Sequence, residues 1–138
     1  MRVFIDANIL VSALNKEFPL FTYSARILSL ADNKKFTLFT SPVCLAIAFY
    51  FAEKKCGTQL AKQKIASLTS KMQIANIGKR EIEKALADKK VNDFEDGMQY
   101  YAALENRCTA IITQDTEDYY YSAIEVLDAE EFLKGHVL

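Results

Sequence analysis

Short apolar runs rich in β-branched and aromatic residues alternate with amphipathic segments along this whole chain, and that alternation restricts the fold more than any other feature. The runs RVFI (2–5), FTLFT (36–40), QIANI (73–77), TAIIT (109–113) and IEVL (124–127) read as strands. Between them, FTYSARILSLADNKK sets Tyr23, Ile27, Leu28, Leu30 and Ala31 at helical spacing. A second helix starts at Ser41-Pro42, where the missing N–H of proline costs nothing, and runs through CLAIAFYFAEKK to stop near Gly57. TQLAKQKIASLTSK, KREIEKALADKK, DFEDGMQYYAALENR (93–107) and AEEFLKG supply the others. The segment 93–107 opens on acids and closes on Arg107, the charge order a helix dipole favours. TAIIT has no polar gap, as a strand buried on both faces requires. Strands with helices between them predict an α/β layered fold around a mostly parallel sheet. No repeat, low-complexity stretch or linker interrupts residues 1–138, so one domain is expected.

Bulk properties narrow the function classes. The chain is 51% hydrophobic and 25% charged, which is ordinary for a globular protein. A net charge of −1 gives no overall attraction to nucleic acid, so such binding needs a local basic patch or a metal. Lys54–Lys55, Lys62–Lys64 and Lys89–Lys90 are candidates for a patch, although lysine clusters are commonly just solvated surface. No apolar run approaches the roughly 20 residues that cross a bilayer, and the N-terminus does not read as a signal peptide. Cys44, Cys56 and Cys108 are odd in number and lack metal-ligand spacing, which suits reduced thiols in a cytoplasmic protein.

The acids are more informative. In open parallel sheets, ligand sites form beyond the carboxyl ends of the strands. Asp6 closes the first strand, Asp115 and Asp118 follow TAIIT, and Asp93 and Asp96 stand at a helix start that returns to the same rim. Three distant segments thus bring carboxylates to one edge. Close like charges repel, and a shared cation relieves them; oxygen ligands with water suit Mg²⁺ or Mn²⁺. Such an ion activates water and offsets charge on a phosphoryl group. Each acid also has a structural reading: Asp6 can cap the turn after its strand, Asp93 is a natural N-cap, Glu95 faces solvent, and Asp115 and Asp118 can be plain loop residues. Their joint placement favours the site.

Other chemistry is sparse. The single histidine, His136, reads as part of a disordered end, which leaves no catalytic triad. The four glycines form no phosphate-binding loop. Tyr119-Tyr120-Tyr121 can stack on bases but more commonly packs at a loop edge, and Tyr100 and Tyr101 read as core. A phosphatase built on Asp6-Ala7-Asn8 lacks the second acid, since Asn8 occupies that position.

Taken in order, FIDANIL, TSPVCLAIAFYF, DFEDGMQYYAALEN, IITQDTEDY and IEVLDAEEFL resemble the PIN-domain nucleases, and within them the VapC-like toxins of toxin–antitoxin pairs. The resemblance spans nearly the whole chain. It implies a three-layer α/β/α sandwich with a mostly parallel central sheet and metal-dependent cleavage of an RNA substrate. It also implies an antitoxin partner, and members of the family are often homodimers. By position it makes Asp6, Asp96, Asp115 and Asp118 metal ligands for Mg²⁺ or Mn²⁺. Asp6, Asp96 and Asp115 become the catalytic set, and Asn8 a polar neighbour that orients an acid, a water or the substrate. Tyr119 is the aromatic of the closing Asp-aromatic pair.

One position departs from the pattern. Many members carry a glutamate where this chain has Ile47, and no acid occurs from residue 41 to 52. Glu53 is six residues on, about 9 Å along the helix and roughly 240° around it, so it cannot stand in. Two expectations follow: a ribonuclease weakened by the loss of one ligand, or a degenerate PIN fold that binds RNA or a protein without cutting. Gly97, where alanine is usual, is expected to loosen its helix by up to roughly 1 kcal/mol.

Overall fold

The computed structural model describes all residues from Met1 to Leu138. Five strands form one sheet: β1 (Arg2–Ile5), β2 (Thr37–Thr40), β3 (Gln73–Ile74), β4 (Ala110–Ile112) and β5 (Glu125–Leu127), in the order β3-β2-β1-β4-β5. Every pairing is parallel, with Val3 set between Leu38 and Ala110. Seven helices cover it: α1 (Ala7–Asn15), α2 (Phe21–Ser29), α3 (Pro42–Cys56), α4 (Thr58–Thr69), α5 (Lys79–Ala87), α6 (Phe94–Glu105) and α7 (Ala129–His136). The result is a three-layer α/β/α sandwich. Consecutive residues Val3, Phe4 and Ile5 are fully buried, as are Ala110, Ile111 and Ile112, so β1 and β4 are covered on both faces.

The helix starts are set by local chemistry. Ser41 caps α3 by accepting the Cys44 N–H at 3.0 Å, with Pro42 in the first turn. Asp93 caps α6 by accepting the Asp96 N–H at 3.2 Å. Gly57 ends α3 at φ 86°, a left-handed conformation that glycine adopts without strain. Asp6 begins α1 directly after β1, so the apolar run from Val3 to Leu14 is a strand and a helix in succession.

Some expectations give way. Only Gln73 and Ile74 of QIANI pair as strand, at the sheet's edge. The helix after residue 21 ends at Ser29, and Leu30–Asp32 tighten into a 3₁₀ turn. His136 is no disordered end: it closes α7, with Nε2 3.0 Å from Glu125 Oε1 and its ring against Phe132.

Candidate active site

The chain leaves β1 toward β2 on one side, while β4 lies on the other. Loops on either side of that boundary part from one another and open a crevice beyond the carboxyl ends of β1 and β4. A cavity of about 470 Å³ sits there. Asp6, Asn8, Glu17, Ile47, Phe51, Glu95, Asp96, Gln114 and Asp115 contribute to its lining, with Ala7, Val11 and Leu20. Five carboxylates therefore border one space that no lysine, arginine or histidine enters. None of the five forms an ion pair.

Asp6 is held from four directions. Oδ1 accepts the Ala7 N–H at 2.8 Å and the Cys44 thiol at 3.6 Å. Oδ2 accepts the Thr113 hydroxyl at 2.9 Å and the Tyr119 hydroxyl at 3.2 Å. Burial pushes the Asp6 carboxyl above its ordinary range, while these four hydrogen bonds pull it back. The same burial, with the Asp6 charge beside it, lifts the Cys44 thiol to about 12 and leaves it an unreactive packing group.

Thr113, fully buried at the end of β4, is the hub of the crevice. Its hydroxyl donates to Asp6 and accepts the Asn8 Nδ2 amide and the Asp115 N–H, both at 3.1 Å. Asn8 Nδ2 also donates to Asp115 Oδ2 at 3.2 Å, and Asn8 Oδ1 accepts the Gln114 N–H at 3.1 Å. Asn8 thus braces the loop that carries Asp115.

Asp96 enters from the first turn of α6, and its carboxyl is pushed up to about 7 by burial and by the charges of Asp93, Asp6, Asp118 and Glu95. Asp118 lies in an exposed 3₁₀ turn (Thr116–Tyr119) and does not line the cavity. Burial, Asp115 and Asp93 nevertheless raise its carboxyl. Glu95 is exposed, as expected, and also borders the cavity. Glu53 accepts the Thr58 hydroxyl at 2.8 Å instead, and Ile47 keeps the position where an acid was expected.

The donors suit a hard divalent cation in kind: oxygen atoms with unbalanced negative charge. They are not yet gathered, because no three Asp, Glu, His or Cys side chains stand close enough to share one ion. A shared ion would require the carboxylates to close in. A second cavity, about 490 Å³ between α1, α2 and α4, has Lys16, Lys64, Lys71 and Asp32 as its charged groups, with Lys71 paired to Asp32 at 3.4 Å. It brings no set of acids together.

The sequence reading missed Thr113, Cys44 and the hydroxyl of Tyr119 as supports of Asp6. A polar residue closing an apolar strand was the available signal for Thr113. The resemblance marked Tyr119 as the aromatic beside Asp118, but nothing in the triple tyrosine pointed to its hydroxyl as a partner of Asp6.

Comparison with known proteins agrees with this architecture. The PIN-domain family model matches residues 2–117. Ribonuclease VapC1 of Aquifex aeolicus is 31% identical over 135 residues, covering 95% of this chain and 92% of that protein. The fold is shared with VapC20 of Mycobacterium tuberculosis, a toxin that cleaves the sarcin–ricin loop. That match has a TM-score of 0.69 at 16% identity and covers 90% of this chain and 98% of the other. It is shared also with VapBC2 of Rickettsia felis, solved on a DNA fragment from its promoter, with a TM-score of 0.68 at 17% identity over 93% and 98% of the two chains. The chain belongs to the PIN-domain family, within its VapC-like group.

Proposed function

We propose that the acid cavity is a metal-dependent ribonuclease centre and that the protein is the toxin of a toxin–antitoxin pair in the cytoplasm. The observation that carries this is the set of five carboxylates around one crevice with no basic side chain to balance them. The 31% identical relative being a ribonuclease supports it, and relatives of the same fold solved as toxin–antitoxin complexes support the partner.

Asp6, Asp96 and Asp115 would hold Mg²⁺ or Mn²⁺, with Asp118, whose charge acts on Asp96, as a fourth candidate. The ion supplies a Lewis acid for water and for a phosphate oxygen. Thr113 and Tyr119 fix the direction of Asp6, and Asn8 fixes that of Asp115. Burial and crowded negative charge raise Asp96 to about 7 without an ion, and a bound cation would favour the ionised carboxylate that ligation needs. Asp115 or Asp118 would orient the attacking water or accept its proton.

A second reading, a PIN fold that binds RNA or a protein without cleavage, draws on Ile47 and on the spread of the acids. Hydrolysis of RNA that vanishes in EDTA, returns with Mn²⁺ and is abolished by Asp6→Asn is the expected result. Cleavage indifferent to both EDTA and Asp6→Asn sinks the metal centre, and no cleavage at all with Mn²⁺ leaves the binding reading.

A further inference from the structure

Ile47 and Phe51 stand one turn apart on α3, so they share a helix face, and both line the acid cavity. Val11 and Leu20 complete the apolar part of the lining. The crevice therefore joins two chemistries, carboxylates and amides in one part and large apolar side chains in the other. Phe51 is 44% exposed, although Ala48 and Ala52 on the same helix are fully buried.

The wall is fixed in place. The Phe51 ring meets Tyr50 edge-on, with centroids 5.3 Å apart at 80°. The Phe51 carbonyl accepts the Asn15 amide at 3.3 Å, and the Lys55 ammonium donates to the Asn15 carbonyl, which ties this end of α3 to the end of α1. The Lys54 ammonium lies over the Tyr50 ring, 4.3 Å from its centroid. A positive charge thus stands beside the aromatic pair, outside the acidic lining.

Resting on the ribonuclease reading, we infer that Phe51 and Ile47 form a nucleobase subsite, in which an unpaired base of single-stranded RNA lies against the Phe51 ring while its phosphate lies toward the cation that the carboxylates would hold. The volume of about 470 Å³ suits one small ligand, since pockets for such ligands span about 300–1,000 Å³. Every base has a π-face, so stacking on phenylalanine accepts any base but requires that it be unpaired. Lys54 is placed for the phosphate of a neighbouring nucleotide. The subsite also accounts for Ile47: where a carboxylate was expected, the chain presents a branched apolar side chain on the same helix face as the ring.

The test uses the full chain and a short single-stranded RNA carrying 2-aminopurine, whose fluorescence is quenched by stacking, in EDTA and again in Mg²⁺. Wild type is expected to quench it in Mg²⁺ and more weakly in EDTA, where the carboxylates repel the RNA phosphates. Phe51→Ala and Phe51→Leu should bind about 5- to 150-fold more weakly without quenching, and Phe51→Trp should retain binding. Thermal melts establish that the variants are folded, as the exposure of Phe51 leads one to expect. Wild-type binding without quenching, or Phe51→Leu binding as tightly as wild type, overturns the subsite and assigns the wall to another occupant, such as a protein segment. RNA hydrolysis that persists in that case leaves the ribonuclease reading intact. Phe51-dependent quenching by a protein that cleaves nothing supports the subsite and removes hydrolysis alone.

Discussion

Tyr119 shows how much a single hydroxyl can carry. The residue is 2% exposed, and its oxygen donates to the same Asp6 oxygen as Thr113. Groups that orient a metal-binding side chain typically change affinity or activity about 10- to 100-fold when removed. Tyr119→Phe deletes the hydroxyl and keeps the ring, so the fold should survive while Mn²⁺ affinity drops by roughly tenfold or more. Calorimetric titration of Mn²⁺ into the two proteins measures this, and equal affinities would deny Tyr119 any part in positioning Asp6. Asn8 acts in a related way on the opposite carboxylate, because its amide joins α1 to Asp115.

Among the elements, α6 starts at the Asp93 cap that its sequence implied, yet nothing local in that sequence explains Gly97. A Cβ there would lie 2.6 Å from Val91 Cγ1 and 3.1 Å from the Ala85 Cβ, so glycine permits α6 to approach α5 and the segment before it. Gly97→Ala gains about 1 kcal/mol in helix propensity but overpacks this contact at a cost of about 1–3 kcal/mol. A net loss is expected in urea denaturation, and Val91→Ala should reverse it; an alanine at 97 that stabilises the chain unaided would show that Val91 yields freely. The same limit explains what else was legible. Caps such as Ser41 and Asp93 are local and were readable. α1 was concealed because Ile5 and Ile9 are apolar for different partners, with nothing between them to mark the change from strand to helix except Asp6. QIANI carries strand composition, but how much of an edge strand pairs depends on its neighbour. That Asp6, Asp96 and Asp115 border one space was legible from their places after strands and at a helix start, whereas Asp118 does not line it. The supports of Asp6 were not, since Thr113 and Tyr119 meet it only through tertiary packing.

For the whole molecule, the collected negative charge implies a defined pH response. Asp96 is raised in the folded state to about 7 from an ordinary 3.8, so between those values the folded chain binds more protons than the unfolded one. Stability from this group is therefore present at low pH and is lost as pH rises toward and through 7. Melting temperatures in EDTA should fall from pH 5 to pH 8, and Mn²⁺ should raise them more at pH 8 than at pH 5. A Mn²⁺ effect independent of pH would argue against Asp96 as a ligand. The sheet order has one more consequence. Asp6 meets Thr113 across a separation of 107 residues, and β1 is flanked by β4 only when nearly all of the chain is available. Until β4 has emerged and paired with β1, a growing chain thus carries the first aspartate without the hydroxyl that aims it, and the crevice has only one of its walls.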